Sequence, residues 1–299
     1  MHYDYVPINL RPPLRWPDGN RVALIITLNL ETWDLVKDTD RPYYAGGPAI
    51  LPDVLPGDTP DFPNYTWREY GQRVGAFRLF DMFDEEGVKP SCTINAVTAL
   101  RRRPMLDAAL SRGCEILAHN YEQGELLTDF AKQPERERDV IARSLAVYEQ
   151  AVGRKARGWL SSSLRGTLNT ADILAEHGLL FYCDLMNDDQ PYLIKTSHGT
   201  IVSTPYTNEI NDFTLLTRRN HTTDEFRDIL IEELKELYRE GEKTGRIMNV
   251  GVHPHVSGRA YRIRALREFI QYAKNLPGVW WATREAVASW YLQQQSVRE

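Results

Sequence analysis

Cysteine is scarce in this chain: three residues in 299, at 92, 114 and 183, odd in number and far apart. That pattern does not suit a disulfide framework and fits a reducing compartment better. A catalytic thiol needs a nearby base to raise its thiolate fraction. Two of the three lie inside apolar, strand-like runs, so packing is the expected role. No apolar run approaches the ~18 residues that suggest a membrane span, and the opening "MHYDYVPINLRPP" lacks the charged and apolar regions of a secretory leader. Basic charge is not in excess either. With 36 Lys and Arg against 41 Asp and Glu the formal charge is −5, which argues against nucleic acid or an anionic membrane as partner. The tight basic cluster Arg101 to Arg103, before Pro104, reads as a solvated helix end. The expectation is a cytoplasmic protein with a small-molecule substrate.

The chain has ample apolar and charged residues for a sizeable core, and no internal repeat or clear linker divides it, so residues 1–299 read as one domain with an N-terminal extension at 1–20. From Arg21, "VALIITLNLE" reads as a buried strand ending near Glu31. Six prolines, at 42, 48, 52, 56, 60 and 63, then exclude helix and central strand. Residues 33–64 therefore form a long loop, and Tyr43, Tyr44, Phe62 and Tyr65 favour a packed lid. Beyond it, helical and strand-like stretches alternate: a helix over 66–86, the strands "SCTINAV", "CEILAH", "RGWL" and "LLFYCD", a long helix over about 222–243, and the strand "IMNVGVH". Such alternation implies parallel strands covered by helices. About seven units suit an α/β fold in the form of a single distorted (β/α)7-type barrel.

In parallel barrels the reactive side chains gather at the C-terminal ends of strands. Here those ends carry Glu31, Asn95, His119, Trp159, Asp184 and His253. Glu31 is a candidate base, or a surface carboxylate. His119, with Glu122 three residues on, is an acid/base pair, part of a metal site, or a hydrogen-bonded core imidazole. In "GVHPHVSGR" His253 continues the period-two phase of Ile247, Asn249 and Gly251, and His255 is left to bond within the loop. The turn "CDLMNDDQPY" reads mainly as a backbone-capping loop, with Asn187 and Asp188 available to a polar substrate.

The order of these motifs resembles the polysaccharide deacetylase superfamily, the NodB-homology fold, and within it the branch related to the cofactor-independent allantoinase. The carrying stretches are "LNLET" at 28–32, "AHNYEQ" at 118–123, "RGWLSSSLRGTLNT" at 157–170, "DLMNDDQPY" at 184–192 and the long block from Asn249 to Trp290. The superfamily's metal-dependent enzymes use T-F-D-D for a base and a metal-binding aspartate, and H-x-x-x-H for two further ligands. The corresponding residues here are Glu31 at the base, Thr32 at the metal aspartate, His119 at the first histidine and Gln123 at the second. Two of three expected ligands are thus missing, whereas a catalytic zinc normally keeps three. The resemblance implies His253 as the acid for the leaving group, and Arg157 and Trp159 in the third motif.

The expected site is therefore Glu31, His119 and His253 as catalytic residues, Asn95, Glu122, Arg157, Trp159, Asn187 and Asp188 as substrate-binding residues, and no metal ligand. The expected activity is metal-independent hydrolysis of a non-peptide carbon–nitrogen bond in a small cyclic amide, imide or ureide, with no cofactor. The alternatives are a zinc-type metal-dependent N-deacetylase, with Glu122 or His253 as third ligand, and an inactive ligand-binding homologue. The resemblance also implies a homo-oligomer, with a tetramer as one candidate form.

Overall fold

The computed structural model describes residues 2–35, 50 and 59–296. Most of the expected lid at 33–64 lies outside them, including Tyr43, Tyr44 and four of its prolines. Its far end is helical: α1 (Phe62–Tyr70) starts with Pro63 in its first turn, and Asp61 accepts a hydrogen bond from the Asn64 amide. Proline lacks the amide hydrogen that a first turn leaves unpaired, so it opens this helix where it was expected to exclude one.

β1 (Val22–Leu30) is buried along its whole length, as a strand covered on both faces must be. After α1, a π-type turn over Gly71–Gly75 leads into α2 (Ala76–Glu86), which stops at Gly87. β2 (Ser91–Ile94), α3 (Ala96–Arg101), α4 (Arg103–Ser111) and β3 (Glu115–Ala118) follow. The break before Arg103 falls where Pro104 starts a new helix. Next come α5 (Pro134–Val152), β4 (Gly158–Trp159), α6 (Thr170–Glu176), β5 (Phe181–Tyr182) and the antiparallel pair β6 (Tyr192–Thr196) and β7 (Gly199–Ser203). The chain closes with α7 (Thr223–Glu240), β8 (Arg246–Val252), α8 (Ile263–Lys274), β9 (Val279–Trp281) and α9 (Arg284–Ser296).

These strands form one sheet in the order β6-β7-β5-β4-β3-β2-β1-β8, with β9 also on β1. All pairs but β6–β7 are parallel. The expected distorted barrel takes the form of a curled half-barrel. Its outer layer is helical. In α7 a capping box joins Thr222 and Glu225, and Phe226, Leu230, Leu234 and Leu237 make one buried stripe. Each such side chain contributes roughly 1.5–3 kcal/mol on burial, and Leu234→Ala would cost about 2–5 kcal/mol. Among the described residues no helix is long and apolar enough to cross a membrane.

Candidate active site

β1 and β8 are parallel neighbours with Leu28 level with Val252, so Glu31 and His253 emerge side by side from their C-terminal ends. Both line a cavity of about 310 Å3, together with His119, Gln123 and Tyr206. Glu31 is buried. Its Oε1 accepts a hydrogen bond from Gln123 Nε2 at 2.9 Å, and its buried Oε2 has no partner among the described residues.

Gln123 can present only its nitrogen to Glu31. Its Oε1 accepts from Asn95 Nδ2 at 3.1 Å and from Ser162 Oγ at 3.0 Å, and two donors on the oxygen fix the amide's orientation. His119 lies beyond, its Nδ1 2.5 Å from the Leu160 carbonyl. A carbonyl only accepts, so Nδ1 carries the proton. Nε2 stands 3.4 Å from Glu31 Oε1 and makes no hydrogen bond. In the neutral ring that nitrogen is an acceptor facing another acceptor.

His253 is held from behind. Its ring Nδ1 and its backbone amide both meet the Asp212 carboxylate at 2.7 Å, and Ser257 Oγ donates to the same group. That leaves Nε2 for the cavity. Burial pushes the imidazole's pKa down, but the Asp212 charge and hydrogen bond, with Glu31 adding, outweigh it and hold the value above that of an ordinary histidine. His255 is different: wedged edge-on against Trp33 and Trp67, it is pushed well below the usual range by burial, then by the His253 and Arg68 charges. The loop carrying both rings lies against the π-type turn, and a Cβ at Gly75 would sit 2.0 Å from the Pro254 carbonyl oxygen.

The third polar group is Tyr206. Asn211 Oδ1 is fixed by the Phe213 and Thr214 amides, so its Nδ2 donates to Tyr206 Oη at 2.9 Å. Asn29 Nδ2 donates to the Val252 carbonyl and to the same hydroxyl, each at 3.2 Å. An oxygen that accepts two amides keeps its own proton for a third partner, and the open side is the cavity. Burial raises the phenol well above its ordinary pKa. Gly251 makes the approach possible, because a Cβ there would lie 2.4 Å from the Tyr206 oxygen.

A Schizosaccharomyces pombe protein provisionally named a polysaccharide deacetylase is 26% identical, over 94% of this chain and 92% of its own. The crystal structure of a probable polysaccharide deacetylase from Pseudomonas aeruginosa PAO1 superposes with a TM-score of 0.84, at 26% identity over 96% of each chain. The fold is that of the polysaccharide deacetylase (NodB-homology) superfamily. The crystal structure of PuuE allantoinase has the same fold, with a TM-score of 0.84 at 24% identity over 98% of each chain. No family model matches the chain.

Thr32 and Gln123 stand where the metal-dependent members of the NodB fold have ligands. Among the described residues no three His, Cys, Asp or Glu side chains converge as a metal-binding group. The Gln123 amide nitrogen points at the carboxylate, and a protonated amide nitrogen has no lone pair to offer an ion.

The remaining expected substrate-binding residues fall elsewhere. Asn95 is buried behind Gln123, bonded to the His119 carbonyl and Ser162, and does not reach the cavity. Glu122 borders a small crevice beside Trp33. Arg157 precedes β4 at the opposite end of the sheet, paired with Glu285. Trp159 is fully buried, its indole bonded to Ser161. Asn187 accepts from Tyr192, and Asp188 forms a two-pronged pair with Arg11 at 2.7 and 2.5 Å. Arg157 and Trp159 matched a motif by position, and on a two-residue strand neither side chain reaches the mouth. Asp184, at a strand end, accepts from the Ser161 and Gly166 amides and holds the loop between them. The three cysteines are buried. Burial pushes the Cys183 thiol up to about 11. Tyr206 and Asp212 escaped the sequence reading because both precede β8 by dozens of residues and close no strand.

Proposed function

We propose that this protein hydrolyses a small cyclic amide, imide or ureide by metal-independent general acid/base catalysis. Kinship in sequence and fold with the polysaccharide deacetylases supports the broader class, a hydrolase of carbon–nitrogen bonds other than peptide bonds. The observation that supports the finer reading is the shared cavity, lined by both the Glu31 carboxylate and the Asp212-anchored His253.

Water held by the Glu31 carboxylate in the cavity attacks the ring carbonyl carbon. Its oxygen forms the new C–O bond, and its proton passes to the Glu31 carboxylate. The oxyanion that develops takes the Tyr206 hydroxyl proton as a hydrogen bond, a service worth roughly 2.7–4 kcal/mol in a site closed to water. The C–N bond then breaks as His253 Nε2 delivers its proton to the departing nitrogen. A ring nitrogen flanked by a second carbonyl bears charge better than the nitrogen of a sugar acetamide, so this donor set suits the former. Gln123, with Asn95 behind it, holds the carboxylate in place.

The test is a substrate panel run on protein of measured metal content: hydantoin, dihydrouracil, succinimide and an N-acetylated sugar. Ring opening by metal-free protein, abolished in Glu31→Gln, is the expected result. Deacetylation that tracks bound zinc would overturn it.

A further inference from the structure

Two arginines on the wall of the catalytic cavity have no carboxylate partner among the described residues. Arg165 and Arg218 both line it, and among the described residues neither forms an ion pair, whereas most of the other arginines do. The neighbour Arg219 pairs with Glu209 at 2.9 Å, and Arg11, Arg138 and Arg143 each meet an acidic side chain at 3.0 Å or less. A chain of net charge −5 makes such pairing easy, and these two share one opening without it.

Both side chains are carried by shaped backbone. Arg165 ends a turn in which Ser163 and Leu164 hold φ of 55° and 58°, conformations that cost a side-chain-bearing residue about 1–3 kcal/mol each. Asp184 ties the turn down through the Ser161 and Gly166 amides, and the Arg165 carbonyl accepts the Thr128 amide at 3.1 Å. Arg218 ends the π-type segment Phe213–Arg218, its guanidinium 5.4 Å from the Phe213 ring centre. The two charges act on each other: partial burial and then Arg165 hold Arg218 below an ordinary guanidinium. Glu31 and Asp212 do not answer this charge, since Glu31 is the base and Asp212 is buried behind His253.

We infer that the substrate carries a carboxylate, bound at the cavity mouth by Arg165 and Arg218 while its ring amide sits between Glu31 and His253. Planar guanidinium groups match a carboxylate with paired, charge-assisted hydrogen bonds. Both residues are exposed, so a neutral ring leaves their charges to water, whereas a carboxylate gains the paired bonds. This assignment rests on the cyclic-amide reading above and narrows it to acid-bearing rings.

A hydantoin with an acetate side chain and its carboxamide counterpart, equal in size and differing in charge, test it. Wild-type kcat/KM should favour the acetate by about tenfold or more. The ratio should fall towards 1 in Arg165→Ala/Arg218→Ala, shrink as salt is raised, and hold in Arg219→Ala. A wild-type ratio of 1 or less, or a ratio indifferent to the double substitution, overturns the inference. If neither ring is opened, the hydrolase reading fails on its own. Calorimetry with Glu31→Gln then decides the arginines: tighter binding of the acetate, lost on the double substitution, upholds them, and equal affinities remove them.

Discussion

Asp212 receives both the backbone amide and the ring Nδ1 of His253, each at 2.7 Å. A carboxylate fully buried behind an imidazole fixes its tautomer, aims its other nitrogen and raises its proton affinity. That is the preparation an acid needs if it is to be charged at neutral pH.

Asp212→Asn should lower kcat by about 10- to 100-fold, less than the roughly 10²–10⁴-fold that loss of the proton donor itself would cost. The sign on pH is fixed. His253 must be protonated to act, so the alkaline limb of the kcat/KM profile reports it, and this limb should move to lower pH in the variant. The same linkage acts on stability. Because the folded chain binds this proton more tightly than the unfolded one, the increment is complete below the unfolded pKa and lost as pH rises through the folded one. A pH–rate profile and denaturant melts at several pH values measure both.

Tyr206→Phe removes the proposed oxyanion donor. A fall in kcat of about 10²–10³-fold with little change in KM is expected. The Asn29 and Asn211 amides also lose their acceptor, at about 1–3 kcal/mol for a buried group left unmade. Steady-state kinetics with urea melts separates the two effects. A loss confined to KM contradicts the oxyanion role.

Gln123→Met keeps the side chain's length and removes its amide. Glu31 loses its 2.9 Å donor, and Asn95 and Ser162 are left facing a thioether. Activity should drop about tenfold or more and stability by about 1–3 kcal/mol. A variant as active as the wild type would show that the amide is a spacer.

Gly75→Ala tests the scaffold. The new methyl would meet the Pro254 carbonyl at 2.0 Å, and backbone cannot yield as a flexible side chain does. The loop bearing His253 must shift, so kcat should fall and Tm with it. Thermal melts and kinetics together check this, and an unaltered Tm would contradict the contact.

The parts of the site that close a strand were legible in the sequence. Glu31, His119 and His253 each follow an apolar run, and a parallel sheet gathers such positions at one end. Gln123 stood out by spacing alone. What spacing could not give was direction: Asn95 and Trp159 also stand at strand ends, yet one side chain turns behind Gln123 and the other into the core. Arg157 lies before its strand and so at the wrong end. Asp212 and Tyr206 are brought in by irregular backbone between β7 and α7, where no period announces a buried polar group. The lid's far boundary was missed for a local reason, since Pro63 is tolerated in a first helical turn.

The central claim is that Glu31 and His253 divide the proton transfers between them without an ion. The most direct measurement is the pH dependence of kcat/KM on a cyclic ureide, for chelator-treated protein of verified metal content. A bell-shaped profile is predicted, losing its alkaline limb in His253→Ala and collapsing in Glu31→Gln. Activity that returns only when a divalent metal is restored, or that survives Glu31→Gln, would contradict the account.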